Sequence, residues 1–233
     1  MPHLPAAFFA APAHVVAPRL LGAVLVRRLA PRRLLRCRIV EVEAYGPGDP
    51  ACHAFRGPTA RNAAMFAAPG RAYVYLIYGM YHCLNLVTDR AGVGSAVLIR
   101  AVELPPAAPT GQHLSARQQQ RQAAGPGKLC RALGIDLRHN GHRLHPAEAL
   151  WVEPPPSAPV VEPVQCSRIG ISVGTELPWR WYDAGSAAVS VRATGLEQGW
   201  LQPPTCTAPL PPVTRARSER RSEDVLQQDR DER

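Results

Sequence analysis

Arg71-Ala-Tyr-Val-Tyr-Leu-Ile-Tyr-Gly-Met-Tyr-His-Cys-Leu-Asn-Leu-Val-Thr88 holds four of the chain's six tyrosines within nine residues. Ala72 to Ile77 and Leu84 to Thr88 are rich in β-branched, aromatic and aliphatic residues, the composition of strands. Between them Gly79-Met80 suits a two-residue turn with glycine at its first central position, flanked by Tyr78 and Tyr81. Side chains alternate faces along a strand, so Tyr73 and Tyr75 share one face while Tyr78 belongs to the tip or the opposite side. Such a hairpin presents aromatic faces to a flat ligand. Half-buried strand tyrosines with bonded hydroxyls give the same pattern, so the hairpin needs a second feature beside it.

That feature is Arg38-Ile-Val-Glu-Val-Glu-Ala-Tyr45, which alternates with period two and reads as a strand with Glu41, Glu43 and Tyr45 on one face. Two carboxylates at i and i+2, if shielded from water, disfavour joint ionisation, which suits one of them to general-base work. The alternative is a solvated strand face. Gly46-Pro-Gly-Asp-Pro50 then forms a tight loop and delivers His53, so the cluster reads as strand-end chemistry presented to a cleft.

A chain of 233 residues suits one domain or a compact pair. Its formal charge of +9 comes almost wholly from arginine, since Lys128 is the only lysine. Beyond Val213 six basic residues meet six acidic ones, so the excess belongs to the folded body and favours a polyanionic partner. Residues 1–212 are expected to form the domain, with 213–233 a charged, disordered tail. The six cysteines are scattered without a C-x-x-C pair, which points to free thiols in a reducing compartment. His139, His142 and His145 flank an Asn-Gly turn and read as a surface loop, not a metal site. The apolar stretch from Leu4 to Val26 is broken by Pro5, Pro12, Pro18 and Arg19, so neither a signal peptide nor a membrane span is expected.

Further strands are predicted at Arg36 to Tyr45, Tyr81 to Thr88 and Ala96 to Val102, and within Leu20 to Val26. Helices are predicted at the start of Pro5 to Leu21, over Gln112 to Ala124, and over Lys128 to Leu133 behind Gly125-Pro-Gly127. Proline-rich pieces at Leu104 to Gly111, Glu153 to Pro163 and Pro203 to Pro212 read as connectors or terminal extension.

Taken in order, Arg38 to Tyr45, Ala51-Cys-His53, Thr59-Ala-Arg-Asn62, Met65-Phe66, Pro69-Gly70, Tyr73 to Tyr81, Asn85, Leu98-Ile-Arg100, Gly125 to Gly134, Arg168-Ile-Gly-Ile171 and Pro178-Trp-Arg180 resemble the alkyladenine (3-methyladenine) DNA glycosylases, in a bacterial-type form. The resemblance runs from about Leu4 to Val191. It implies a single α+β domain around a curved antiparallel sheet with flanking helices and a protruding hairpin that enters DNA. It also implies a repair enzyme that flips alkylated purines (3-methyladenine and 7-methylguanine) out of double-stranded DNA and hydrolyses the N-glycosidic bond, leaving an abasic site. Hypoxanthine and ethenoadenine are left open, because they turn on a general acid or main-chain donor at the far edge of the base.

At matching positions the resemblance makes Glu43 the general base and Arg100 its partner near the sugar phosphate. Tyr45, Tyr75 and His53 become the slot for the base, Asn85 the residue that crowds the exocyclic amine of guanine, and Tyr78, Met80 and Lys128 the residues that enter or hold DNA. No metal or organic cofactor is implied, and the protein is expected to be a cytoplasmic, nucleoid-associated monomer with no membrane partner. A backbone-nicking activity would need an amine, either Lys128 or the N-terminus including Pro2. Lys128 reads instead as a phosphate or capping contact, which leaves water as the nucleophile. Two departures from the pattern stand out: Gly185-Ser-Ala-Ala-Val-Ser190, expected to trim packing at a DNA-facing edge, and Ala60, expected to weaken the support of its loop.

Overall fold

The computed structural model describes residues 3–105, 115–156 and 161–193. Pro2, Cys206, the segment 203–212 and the tail 213–233 lie outside the described residues, as does the domain boundary at 212. The chain begins with two short helices, α1 (Ala6–Phe9) and α2 (Ala13–Arg19), kept short by Pro12 and Pro18. Strands β1 (Val24–Ala30), β2 (Arg33–Tyr45), β3 (Ala72–Ile77), β4 (Tyr81–Val87) and β5 (Ala96–Glu103) follow. Helices α3 (Ala116–Gln120) and α4 (Pro126–Leu133) precede β6 (Leu150–Glu153), β7 (Pro163–Cys166) and β8 (Arg180–Asp183).

All eight strands join one curved antiparallel sheet in the order β3-β4-β5-β2-β1-β6, with β8 also paired to β2 and β7 to β8. The predicted α+β class is the observed one. One face of the sheet carries Val42, Ala44, Leu84, Leu86, Val97 and Ile99 against Val16 and Leu20 of α2 and Leu129 and Leu133 of α4. Truncating a fully buried leucine such as Leu133 to alanine in this layer costs about 2–5 kcal/mol. Among the described residues no helix is long and apolar enough to cross a membrane.

The hairpin differs from its sequence reading in one respect. Its loop has three residues, Tyr78-Gly79-Met80, because Ile77 pairs with Tyr81. Positive φ falls on Tyr78 (53°) as well as Gly79 (69°). Burial sets this register. With a two-residue turn Tyr75 would oppose Leu84 and the core face would receive Asn85. The observed pairing places Val74 opposite Leu84 in the core and Tyr75 opposite Cys83 on the other face.

β4 pairs with β5 only from Asn85 to Val87, and the hairpin then bends away. The freed edge of β5 is taken by the segment before α4, through a bridge between Ala101 and Ala124 and a bond from Gly125 N–H to the Arg100 carbonyl. The helix predicted to reach Ala124 therefore stops at Gln120. The histidine segment is also corrected: His139 is buried and its ring nitrogen accepts from Asp136 N–H, closing a capping box on the short 3-10 turn Leu137–His139. Cys37, Cys52, Cys83 and Cys130 are free and buried, and Cys166 is buried as well.

Candidate active site

On the face of the sheet opposite α2 lies a cleft of about 510 Å³, lined by Tyr45, His53, Tyr75, Asn85 and Arg100, with Lys128 at its rim. The sheet delivers most of these side chains by alternation: Tyr73 and Tyr75 from β3, Cys83 and Asn85 from β4, Leu98 and Arg100 from β5. Met65 and His53 close one side from the loop after β2, and Ile169 and Ile171 another.

Beneath the cleft, β2 places two carboxylates that are fully shielded from solvent. Glu41 accepts from Arg100 Nε (3.1 Å), Arg180 Nη1 (3.0 Å), Ser190 N–H (2.7 Å) and Ser190 O–H (2.9 Å). Glu43 Oε2 accepts from the Tyr45 hydroxyl (2.9 Å) and Arg100 Nη1 (3.1 Å), and its Oε1 accepts from Ile169 N–H (2.7 Å). The mutual repulsion read from the sequence is thus met by guanidinium groups placed between and beside the acids. Burial opposes the charge on Arg100, and the two glutamates outweigh it, so its pKa is raised.

Glu43 does not itself line the cleft, but the three residues that bond it, Tyr45, Arg100 and Ile169, all do. Oε1 accepts that single bond, which leaves it a second lone pair.

The aromatic groups are ordered among themselves. His53 Nδ1 and the Tyr73 hydroxyl are 2.9 Å apart, and the His53 ring meets Tyr75 edge-on at 4.5 Å between centroids. Two rings sandwiching a base stand about 7 Å apart, so no base fits between His53 and Tyr75. Tyr45 lines the same cleft. Partial burial, with Arg61 nearby, lowers the His53 pKa even though the ring keeps surface open to the cleft. Burial raises the Tyr75 hydroxyl well above its ordinary value, and raises that of Tyr45, beside Glu43, in the same way. Asn85 is buried at the cleft floor, with its amide donating to the Tyr73 carbonyl (3.1 Å).

Tyr78 and Met80 are 81% and 67% exposed at the hairpin tip. Lys128 is exposed at the start of α4, behind Gly127, whose backbone meets the Tyr81 ring so closely that an added Cβ would lie 3.0 Å from it.

The structure also contributes residues that sequence reading did not single out. Arg168 is fully buried and bonds both oxygens of Asp49 and the carbonyls of Ala44 and Gly174. Its guanidinium lies 4.7 Å from the Tyr45 ring centroid, backing the ring from outside the cleft. Arg168 opens the run Arg168-Ile-Gly-Ile171, and nothing local marks its partner, 119 residues away. Gly185 to Ser190 is not an edge facing the cleft: Ser186 donates to Glu103, Ala188 is buried with Val40 and Ala101, and Ser190 holds Glu41. The loop at Ala60 is supported by Asn62, whose amide donates to the carbonyls of His53 (2.8 Å) and Gly57 (3.1 Å).

Comparison with known proteins matches this arrangement to one family. The family model described as methylpurine-DNA glycosylase matches residues 7–187. A Synechococcus sp. (strain JA-3-3Ab) protein is 54% identical over 187 residues, covering 77% of this chain and 94% of its own length. A Trichodesmium erythraeum protein is 51% identical, covering 77% and 92%, and one from Methanocella arvoryzae is 48% identical, covering 84% and 99%. Each carries the name "Putative 3-methyladenine DNA glycosylase". With a family match across most of its length and relatives at about half identity, the chain belongs to the methylpurine-DNA glycosylase family.

Proposed function

We propose that this DNA glycosylase releases positively charged alkylated purines, 3-methyladenine and 7-methylguanine, from double-stranded DNA by hydrolysis, with Glu43 as the general base. The observation that carries the reading is the shielded carboxylate of Glu43, held by three residues of the cleft wall beneath a slot of aromatic rings.

Extruding a nucleotide costs a few kcal/mol of stacking and pairing, least for a damaged base. Tyr78, at the exposed tip, fills the vacated stack, with Met80 beside it, and Lys128 takes a phosphate at the cleft rim. The extruded base enters between Tyr45 and the His53–Tyr75 pair, where electron-rich faces favour a cationic purine. Asn85 at the floor crowds the exocyclic amine of guanine and rejects the undamaged base.

Glu43 takes a proton from water while the water oxygen bonds to the anomeric carbon. The glycosidic electron pair leaves with the base, which departs neutral because alkylation had made it cationic. No acid is then needed for the leaving group, which suits a His53 whose lowered pKa keeps it unprotonated at neutral pH. Arg100 remains charged throughout and orients the carboxylate. Water, not the Lys128 amine, is the nucleophile, so the enzyme is monofunctional.

The test is single-turnover release of 3-methyladenine and 7-methylguanine from methylated duplex DNA, run with and without borohydride. Release without a trapped protein–DNA adduct is expected. Tight lesion binding without release would make the chain a non-catalytic DNA-binding protein, and a trapped adduct would make it a lyase.

A further inference from the structure

Four arginines on the β1–β2 hairpin have no place in the site described above. No acidic residue occurs between Arg19 and Val40. Arg27 donates to the Leu133 and Gly134 carbonyls, and Arg28 donates to the Pro146 carbonyl over the Trp151 ring. These acceptors are neutral; Arg27 feels Asp136 and Arg138 near it, and Arg28 forms no ion pair among the described residues. Arg32 and Arg33 are exposed at the tip, where Ala30 pairs with Arg33, and neither forms an ion pair among the described residues. Farther along β2 the arginines are neutralised: Arg36 pairs with Glu153, and Arg38 with Glu103 and Asp183.

Topology puts the turn of this hairpin at the same end of the sheet as the turn that carries Tyr78. β4 is antiparallel to β5 and β5 to β2, so the start of β4, the end of β5 and the start of β2 share one end of the sheet. α4 spans the gap between the two hairpins. Its first turn lies against Tyr81, and its last carbonyls accept from Arg27. Lys128 and Arg131, three residues apart, occupy the exposed side of α4 and line the cleft. Arg33 has the parity of Leu35 and Cys37, which face the core that α4 covers, so it continues the α4 side outward. Basic side chains therefore run from the aromatic hairpin, along α4, to the second hairpin tip. Eight helical residues and four strand residues bound this path at about 25 Å, at most some seven base pairs of duplex.

We propose that the β1–β2 hairpin is a second DNA-contacting arm, with Arg32 and Arg33 binding backbone phosphates within about seven base pairs of the extruded nucleotide. The proposal rests on the reading that the Tyr78 hairpin enters the duplex at the lesion. Two exposed guanidinium groups with no acceptor among the described residues, on a hairpin turn whose sequence holds no acid, fit phosphate oxygens and carry no base-reading geometry.

The test is salt-dependent binding of the wild-type chain and of Arg32→Ser/Arg33→Ser to a duplex of about 30 base pairs with a central tetrahydrofuran abasic analogue. Each phosphate contact contributes about 0.9 to the slope of log affinity against log salt. The double variant is expected to lower that slope by about 2, so that between 50 and 200 mM salt the wild type loses about tenfold more affinity than the variant. Arg32→Lys/Arg33→Lys should keep the wild-type slope. The difference should vanish on duplexes cut to about 4 base pairs on the side the arm reaches, with each side tested in turn, because the arm then has no phosphate to meet. Base release by saturating enzyme should be unchanged in every variant. An unchanged slope, or a difference that persists on duplexes cut on both sides, would overturn the arm while leaving the glycosylase reading intact. Loss of base release by the wild type would instead overturn that reading.

Discussion

Two buried carboxylates touch Arg100, and the structure separates what each should do when its charge is removed. In Glu43→Gln the amide oxygen can replace Oε2 and keep the bonds from Tyr45 and Arg100. The amide nitrogen then faces Ile169 N–H, donor against donor. One unsatisfied buried N–H and a weakened bond to a charged group together cost about 2–5 kcal/mol of stability. Loss of the base itself should slow the chemical step about 10²–10⁴-fold. In Glu41→Gln every orientation points an amide N–H at Arg100, Arg180 or Ser190, so the stability loss should be at least as large, about 3–5 kcal/mol. Its chemical step should fall less than tenfold, because Glu41 is held by Arg180 and Ser190 on the side of Arg100 away from Glu43, and neither of these lines the cleft. The assay is single-turnover release of 3-methyladenine at a temperature where thermal melts show both variants folded. If Glu43→Gln retained more than a tenth of the wild-type rate, or if Glu41→Gln lost as much, the assignment of the base to Glu43 would be wrong.

Other outcomes follow from neighbouring features. Tyr78→Gly should stabilise the protein by about 1 kcal/mol, since it relieves a positive φ at an exposed position, while weakening lesion-DNA binding; a chemical denaturation series and a binding isotherm read the two effects separately. Asp49→Asn leaves the buried Arg168 charge without its partner and should cost about 3–5 kcal/mol in thermal unfolding, with base release falling because Tyr45 loses its backing. For His53 and His139 the sign runs against acid: both have lowered pKa values when folded, so the unfolded chain takes up protons first. Stability should therefore drop as pH falls through about 6.5, and His53→Gln should lessen that drop in melts collected from pH 7.5 to 5.

Much of this was legible in the sequence because it is local. The strand faces of β2, β3 and β4 follow from alternation, and they place Glu41, Glu43 and Tyr45 together and Tyr73 beside Tyr75, as observed. The hairpin turn was misjudged by one residue because turn rules weigh glycine's tolerance of positive φ. The fold instead weighs which face receives Asn85, and accepts a strained tyrosine in return. Arg168 and Asp49, or Ser190 and Glu41, could not have been paired by reading, since contacts across more than a hundred residues leave no local period. The same holds for Ile169, whose backbone N–H, not its side chain, meets Glu43.

The loop Tyr78-Gly79-Met80 projects beyond the last strand pair, closed by a 3.3 Å bond from Met80 N–H to the Ile77 carbonyl, and Tyr78 and Met80 remain exposed there. It is in effect an interchangeable part. A fluorescent residue could be installed at position 78 with little disturbance to folding, and if the loop enters DNA as proposed, a change in its brightness would follow each insertion as it happens. By the same independence, variation at Tyr78 and Met80 can reshape the tip without asking anything new of the core that carries it.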